Sequence, residues 1–183
     1  MQTQWTATKC GKPRAIVECM QNQRSDRPQP PHSFFEKGGA WVLGQFVVMA
    51  GWLVLAPWGH SVARSPGLWI PAVCLLASGA VAGVAGALVL GRNRTPFPRP
   101  RSDSHLVQTG IYAIVRHPLY ASLIALSLGW ACLWGSELGA GLALVQALLL
   151  EAKARREERW LREQFPDYAE YAAQVRRFIP WVY

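Results

Sequence analysis

Long apolar runs without a charged residue are the feature that most constrains how this chain can fold. Two of them, residues 41–58 and 68–90, have the length that an α-helix needs to cross a bilayer, which is ~20 residues for ~30 Å of hydrocarbon. Two shorter runs, residues 119–135 and 138–150, are separated by only two residues, which predicts a tight helical hairpin. Since 51% of the 183 residues are hydrophobic and 16% are charged, the composition is also more apolar than that of an ordinary soluble domain. The sequence therefore predicts an all-α, multi-pass helical membrane protein with about four transmembrane helices, the last two forming a short hairpin.

The positive charges lie on one side of the predicted spans. The formal net charge is +8, and the lysines and arginines are concentrated before residue 39, in residues 91–116 and in residues 153–177. The other two connecting loops contain one such residue, Arg64. Because cytoplasmic loops carry an excess of Lys and Arg, the pattern predicts an integral membrane protein with both termini and the middle loop in the cytoplasm. The membrane would be the cell membrane of a bacterium or the endoplasmic reticulum of a eukaryote.

The excess charge also raises the question of the partner. No aromatic-interleaved basic patch or nucleic-acid-binding motif accompanies it, so we expect contacts with membrane lipids and no nucleic-acid partner. Nothing in the sequence predicts an oligomeric state.

Two regions follow from the distribution of apolar residues. Residues 1–39 are rich in Gln, Pro, Ser and Arg and are predicted to be a flexible cytoplasmic tail, because they cannot bury enough apolar surface to become ordered. The first thirty residues also lack the apolar stretch of a signal peptide. Residues 40–183 form the membrane domain. Its fourth helix is expected to continue into water through residues 151–165 as a cytoplasmic C-terminal helix.

The second apolar run contains a face of small residues. Gly79 and Gly83 form a GxxxG pair, which lets the backbones of two membrane helices approach closely. We interpret this face as a helix-packing surface. A cofactor lying against the exposed backbone is the alternative.

Residues 110–122, GIYAIVRHPLYAS, concentrate polar side chains at the start of the third apolar run. Pro118 suits the first turn of a helix, which places Arg116 and His117 at the cytoplasmic rim of the membrane. A second polar pair, Glu157 and Glu158, follows on the part of the fourth helix that has left the membrane. Any one of these residues is explained as an interface anchor. Their combination with several tyrosines indicates a site.

The residue types in this site suit an amphiphilic substrate with a polar reacting head and a lipid tail. Carboxylates and aromatic rings favour a cationic sulfonium cofactor that enters from the cytoplasm, and Arg116 can hold an anionic acceptor. Metal catalysis is not expected, because the four histidines are scattered and form no HExxH motif. Phosphate-binding glycine loops are also absent from the sequence. The four cysteines have no CxxC or metal-ligand spacing, so we assign them no disulfide or redox role.

The last eighty or so residues resemble the isoprenylcysteine carboxyl methyltransferase family and the related phospholipid N-methyltransferases. The resemblance is carried by GIYAIVRHPLY and, after the hairpin, by EERWLREQFPDYAEYAAQVRRFIP. The matching residues are Gly110, Tyr112, Arg116, His117, Pro118, Tyr120, Glu157, Glu158, Leu161, Phe165, Tyr168, Tyr171, Val175, Arg177 and Pro180. Two positions depart from the family pattern, since Ser122 and Pro166 stand where the family usually has glycine.

This resemblance implies a membrane methyltransferase domain over residues 40–183 that uses S-adenosylmethionine. The cofactor would be enclosed on the cytoplasmic side, and a lateral opening would admit a lipid-like or prenylated substrate. The implied cofactor contacts are His117, Tyr120, Glu157, Glu158, Tyr112 and Gly110. Arg116 would position the acceptor, which for this family is best known as a carboxylate. If the acceptor were an amine, His117 would be the group that removes its proton.

Two other functions remain open on the sequence alone. Membrane sterol reductases, which use NADPH, have a similar C-terminal arrangement, but their motif resembles HPNY rather than HPLY and their chains are longer with more spans. A non-catalytic membrane interaction protein would use the same residues only as interface anchors.

Overall fold

A computed structural model of the chain describes residues 38–58, 66–91, 106–180 and 182. Within these ranges the structure consists of five α-helices and two short 3₁₀ turns, with no β-strand. The helices are α1 (Gly39–Leu55), α2 (Trp69–Leu90), α3 (Pro118–Trp134), α4 (Glu137–Gln164) and α5 (Tyr168–Gln174), and the 3₁₀ turns are Pro66–Leu68 and Gly110–Ala113. The all-α prediction is confirmed for the described residues. The predictions for the N-terminal tail, for Arg64 and for most of the loop between α2 and α3 fall outside them.

The predicted hairpin of the third and fourth helices is present. Helix α3 ends at Trp134, and Gly135 adopts a left-handed conformation with φ of 58° that reverses the chain. Ser136 then caps α4, because its hydroxyl accepts a hydrogen bond of 3.0 Å from the Gly139 amide. Helix α4 runs for 28 residues without a break, so the apolar run and its charged continuation form one helix, as predicted. Pro118 occupies the first turn of α3, also as predicted.

The small residues of α2 lie against α3. A methyl group built on Gly79 would stand 3.1 Å from the backbone oxygen of Ser122, and one on Gly83 would stand 2.5 Å from the Ser122 hydroxyl. That hydroxyl donates a 2.6 Å hydrogen bond to the Gly79 carbonyl. The helix-packing interpretation of this face is confirmed. Ser122, which replaces the usual glycine of the resembled family, occupies the space that the absent side chain of Gly83 leaves.

Replacing Gly129 with alanine is expected to destabilise the protein by roughly 1–3 kcal/mol, because the added methyl group overpacks the contact between α2 and α3. It would lie 3.0 Å from the Leu76 amide nitrogen and 3.1 Å from the Ala72 carbonyl oxygen, and neither backbone atom can rotate away. Gly141→Ala is the matched control, since a methyl group there meets nothing within 4 Å. Thermal unfolding of the purified protein in detergent measures both variants. Equal melting temperatures would contradict the packing described here.

Apolar side chains cover much of the outer surface of the helices. Val47 of α1, Leu88 of α2 and Leu148 of α4 are each more than 60% exposed. Helix α2 is long and apolar enough to cross a membrane, and only 11% of its most apolar stretch is buried within the protein. Helices α1 and α3 are apolar but shorter, at 17 residues each. Outward-facing apolar surface of this kind is covered by lipid or by a partner in a stable protein.

Candidate functional site

The backbone before α3 is held by the segment that follows α5. Val115 and Arg176 form a parallel bridge. The amide of Arg116 donates to the Arg176 carbonyl at 2.8 Å, and the amide of His117 donates to the Arg177 carbonyl at 3.1 Å. The Tyr171 hydroxyl adds a 2.6 Å hydrogen bond to the Tyr112 carbonyl. These contacts fix the direction in which the Arg116 and His117 side chains leave the backbone.

Glu158 is the centre of a buried ionic cluster. Its side chain is 3% exposed and lies on the part of α4 that faces the start of α3. Arg116 Nε donates to Oε1 at 3.1 Å, and the His117 Nε2 atom lies 3.2 Å from the same oxygen. Arg177 binds both oxygens, through Nε to Oε1 at 3.0 Å and through Nη2 to Oε2 at 2.8 Å. The Glu158 carboxylate therefore links α4 to the segment before α3 and to the segment after α5.

The charges in this cluster set the ionisation of Glu158. Burial by itself raises the pKa of the carboxyl group, but hydrogen bonds from His117 and Arg177 and the nearby positive charges outweigh it, so the pKa lies well below its usual range. Glu158 is thus an ionised acceptor, and the facing His117 nitrogen must donate to it.

Arg116 is committed to the same cluster. Beside its bonds to Glu158, its Nη1 donates to the carbonyls of Ala172 and Val175 at 2.6 and 2.5 Å. The side chain is 10% exposed. The sequence suggested that this guanidinium orients the acceptor, whereas the structure places it against Glu158 and the end of α5. Its contacts are those of a group that holds other residues in position.

Glu157 belongs to a second, more accessible set of side chains. The Tyr120 hydroxyl donates to Glu157 Oε2 at 2.7 Å, and the His117 Nδ1 atom lies 3.9 Å from the same oxygen. The rings of His117 and Tyr120 are stacked with centroids 5.2 Å apart, and Phe178 lies on another side of the imidazole with its centroid at 6.0 Å. The Glu157 side chain is 25% exposed, against 3% for Glu158. The two adjacent glutamates therefore differ in accessibility: a ligand can contact Glu157, whereas Glu158 is enclosed by protein.

Lys153 lies beside this second set, one helical turn before Glu157. It is 2% exposed, and its Nζ donates to Gln45 Oε1 on α1 at 2.7 Å. The same nitrogen lies 5.3 Å from the centroid of the Tyr120 ring. Burial lowers the pKa of Lys153 to about 8, and the charge of Glu157 opposes part of this decrease.

Tyr168, the first residue of α5, contributes a buried hydroxyl. The residue is 1% exposed, and its hydroxyl has no hydrogen-bond partner in the part of the chain that the structure describes. Burial, followed by the charge of Glu158, raises the pKa of Tyr168 well above its usual value. The group thus stays protonated and can donate a hydrogen bond. Buried polar groups of this kind normally have a hydrogen-bond partner, and a polar ligand could supply it.

The structure brings together most of the site residues predicted from the sequence. Arg116, His117, Tyr120, Glu157 and Glu158 form one connected network.

The other two predicted site residues contact the network less directly or not at all. Tyr112 is buried, and its carbonyl accepts a hydrogen bond from Tyr171 of α5, which is not one of these five residues. Gly110 is exposed and lies apart, where its positive φ of 61° and its close approach to Val89 serve the turn before α3.

Three residues of the site were given no role by the sequence. Arg177 and Tyr168 lie in the stretch that carries the family resemblance, but nothing in the pattern showed that the chain after α5 returns to α3. One sequence feature could have identified Lys153 as a site residue, because it is the first cation after the apolar part of α4. Among the described residues, no group of three or more His, Cys, Asp or Glu is placed to hold a metal ion.

Comparison with known proteins adds independent information. Residues 69–168, which include α2, α3 and α4, match the profile of a family described as phospholipid methyltransferase. The chain is 34% identical over 143 residues to the cobalt-zinc-cadmium resistance protein CzcN of Cupriavidus metallidurans, covering 78% of this chain and 62% of that protein. It is 32% identical over 156 residues to the nickel-cobalt-cadmium resistance protein NccN of Alcaligenes xylosoxydans xylosoxydans, covering 84% of this chain and 70% of that protein. It is also 30% identical over 99 residues to protein-S-isoprenylcysteine O-methyltransferase B of Arabidopsis thaliana, covering 52% of this chain and 50% of that protein.

Proposed function

The chain belongs to the phospholipid methyltransferase family, which includes isoprenylcysteine carboxyl methyltransferases, and from this premise we propose that it is an S-adenosylmethionine-dependent methyltransferase. Its acceptor is a lipid-like or prenylated molecule that it reaches at the cytoplasmic face of a membrane. The family assignment agrees with the resemblance found in the sequence.

The observation that carries the proposal is the set formed by Glu157, Tyr120 and His117 at the junction of α3 and α4. It offers a partly exposed carboxylate next to two stacked aromatic rings. A carboxylate and the faces of aromatic rings are the groups that stabilise a sulfonium cation. The buried hydroxyl of Tyr168, which has no partner among the described residues, is a further donor for a polar group of the same ligand. These residues fit S-adenosylmethionine.

When bound, S-adenosylmethionine supplies a methyl group activated by the positive charge of its sulfur. Glu157, Tyr120 and His117 would hold it, with Tyr168 as an additional hydrogen-bond donor. The cluster around Glu158 keeps these groups in place, because it ties the start of α3 to α4 and to the segment after α5. Positioning of this kind can account for ~7–11 kcal/mol of the barrier to a reaction between two held partners.

The acceptor atom decides whether the protein must also move a proton. A carboxylate acceptor is already ionised at neutral pH and needs only to be oriented. An amine acceptor has to lose a proton, and His117 is the candidate base in this set, with its Nδ1 atom on the side of Glu157 and 3.9 Å from Oε2. We favour an anionic acceptor, in line with the name of the Arabidopsis relative.

The membrane topology belongs to the same proposal. We infer a multi-pass protein with its site on the cytoplasmic side. The outward apolar faces of α1, α2 and α4 and the concentration of basic residues on one side of the predicted spans support this arrangement.

Ligand binding to the intact protein tests the proposal. Isothermal titration calorimetry on the protein in nanodiscs should show S-adenosylmethionine binding to one site per chain, and S-adenosylhomocysteine should compete for it. NADPH should not bind. Preference for NADPH would indicate a reductase instead, and binding of neither ligand would favour a non-catalytic membrane protein.

A further inference from the structure

Lys153 and Glu158 are the most buried charged side chains of the described residues, each in a residue that is 2% exposed. Their surroundings differ. Glu158 is contacted by two arginines and a histidine, whereas the Lys153 ammonium contacts a neutral amide and an aromatic ring. Among the described residues, no carboxylate lies within ion-pair distance of the Lys153 ammonium, and the charge of Glu157 acts on it from farther away. Burying an ammonium in this way is costly, and the cost is offset when the group binds an anion.

The position of Lys153 indicates which anion this is. On α4, Lys153 comes after the apolar run and four residues before Glu157, a distance of roughly 6 Å along the helix axis. Its contacts on the neighbouring helices are Gln45 of α1 and Tyr120 of α3, and neither of these helices contains a charged residue. The ammonium thus lies at the border between the apolar helices and the set formed by Glu157, Tyr120 and His117. A molecule with an anionic head and an apolar tail fits this border.

We propose that Lys153 binds the anionic head group, a carboxylate or a phosphate, of the lipid-like acceptor while the tail lies along the apolar faces of α1 and α3. The inference rests on the proposed methyltransferase function and makes Lys153 a determinant of substrate specificity. Arg116 was predicted to have this role, but its guanidinium is held by Glu158 and by the carbonyls of Ala172 and Val175. Tyr120 lies between the two binding positions, with its ring near Lys153 and its hydroxyl on Glu157.

The ionisation of Lys153 should make anion binding depend on pH. The groups that face it are Gln45 from α1, Tyr120 from α3 and Glu157 from its own helix. With a pKa lowered to about 8 by burial, the ligand-free lysine is charged at neutral pH and loses its charge as the pH rises through 8. Anion binding should weaken over the same range. An arginine at this position stays charged throughout.

The experiment compares wild type, Lys153→Met and Lys153→Arg in nanodiscs of zwitterionic lipid. Binding of radiolabelled decanoate and decyl phosphate is measured by scintillation proximity, with decanol as the neutral probe. Wild type should bind at least one of the two anions more tightly than decanol, and comparison of the two anions shows whether the site prefers a carboxylate or a phosphate.

Lys153→Met should weaken anion binding about tenfold or more, because one hydrogen bond to a charged group is lost. Lys153→Arg should retain it. For wild type, decyl phosphate binding should decrease between pH 7 and pH 10, whereas for Lys153→Arg it should not.

S-adenosylmethionine affinity, measured on the same samples, separates this inference from the proposed function. If Lys153→Met binds both S-adenosylmethionine and the anions as wild type does, the role of Lys153 is refuted and the methyltransferase proposal stands. Equal binding of decanol and the anions by wild type refutes it too. If wild type does not bind S-adenosylmethionine, the proposed function fails, whatever the anions do. Should Lys153→Met not fold, the pH dependence of wild type against Lys153→Arg decides.

Discussion

Glu158→Gln is expected to lower the free energy of unfolding by roughly 3–5 kcal/mol, the usual cost of removing one partner from a buried ionic cluster. The substitution keeps the shape of the side chain but removes the charge that Arg116, His117 and Arg177 share. The Arg116 guanidinium, which is 10% exposed, would remain largely buried without it, while Arg177, which is 17% exposed, would keep its ion pair with Glu151. Thermal unfolding or titration with a denaturing detergent measures the effect.

Arg155→Ala is the matched control for this prediction. Arg155 also pairs with a glutamate of α4, Glu151, but its side chain is 65% exposed. Exposed pairs on a helix contribute about 0.3–0.5 kcal/mol, so this variant should unfold almost like wild type. If Glu158→Gln is no less stable than Arg155→Ala, the cluster does not hold the site together.

The same glutamate should give the protein a stability that decreases in acid. Because its pKa in the folded protein lies below the ordinary value of 4.5, the contribution of Glu158 is complete above that pH and is lost as the pH falls toward the folded-state pKa. Between pH 6 and pH 3, wild type should therefore lose more stability than Glu158→Gln. Parallel pH curves for the two proteins would contradict the ionisation state described here.

Glu157→Gln is expected to weaken S-adenosylmethionine binding roughly tenfold or more while leaving the melting temperature close to that of wild type. The carboxylate is 25% exposed beside its contacts with Tyr120 and His117, so a ligand can reach it, and in the proposed function it faces the sulfonium of the methyl donor. A hydrogen bond or ion pair with a charged group is worth about 1.5–3 kcal/mol, which corresponds to the tenfold change or more.

Glu163→Gln on the same helix is the control, because Glu163 is exposed and lies two turns away from the set. Its affinity for S-adenosylmethionine should equal that of wild type. An unchanged affinity in Glu157→Gln would remove this carboxylate from the donor site. A large loss of stability in Glu157→Gln would assign it to the structural cluster instead.

Glu157 and Glu158 show which features of the site could be predicted from the sequence alone. The motif placed both Glu157 and Glu158 near the start of α3, and the structure does bring them there. Adjacent residues on a helix point about 100° apart, so only one of them can face the buried cluster. Which one does so depends on how α4 is rotated against α3, and that is set by packing over the whole helix.

Local patterns were the better predictors. The tight hairpin between the third and fourth apolar runs, the start of α3 at Pro118 and the packing of Gly79 and Gly83 all depend on residues close in sequence or on one helix face, and these predictions are confirmed. The roles of Arg177 and Lys153 depend on contacts between distant segments. No periodicity encodes that the chain after α5 pairs with residues 115–117, or that Lys153 meets Gln45 across more than one hundred residues.

The return of the chain after α5 to the start of α3 has a consequence for the order in which the site forms during synthesis. A nascent chain that ends after α4 already contains both glutamates, His117 and Arg116, but it lacks Arg177 and the two carbonyls that hold the Arg116 guanidinium. Until residues 172–177 have left the ribosome, Glu158 lacks its contacts with Arg177, and the Arg116 guanidinium lacks its two carbonyl acceptors. The ionic cluster around Glu158 is thus completed only after α1–α4 have been synthesised, so formation of these helices and completion of the cluster are separate steps.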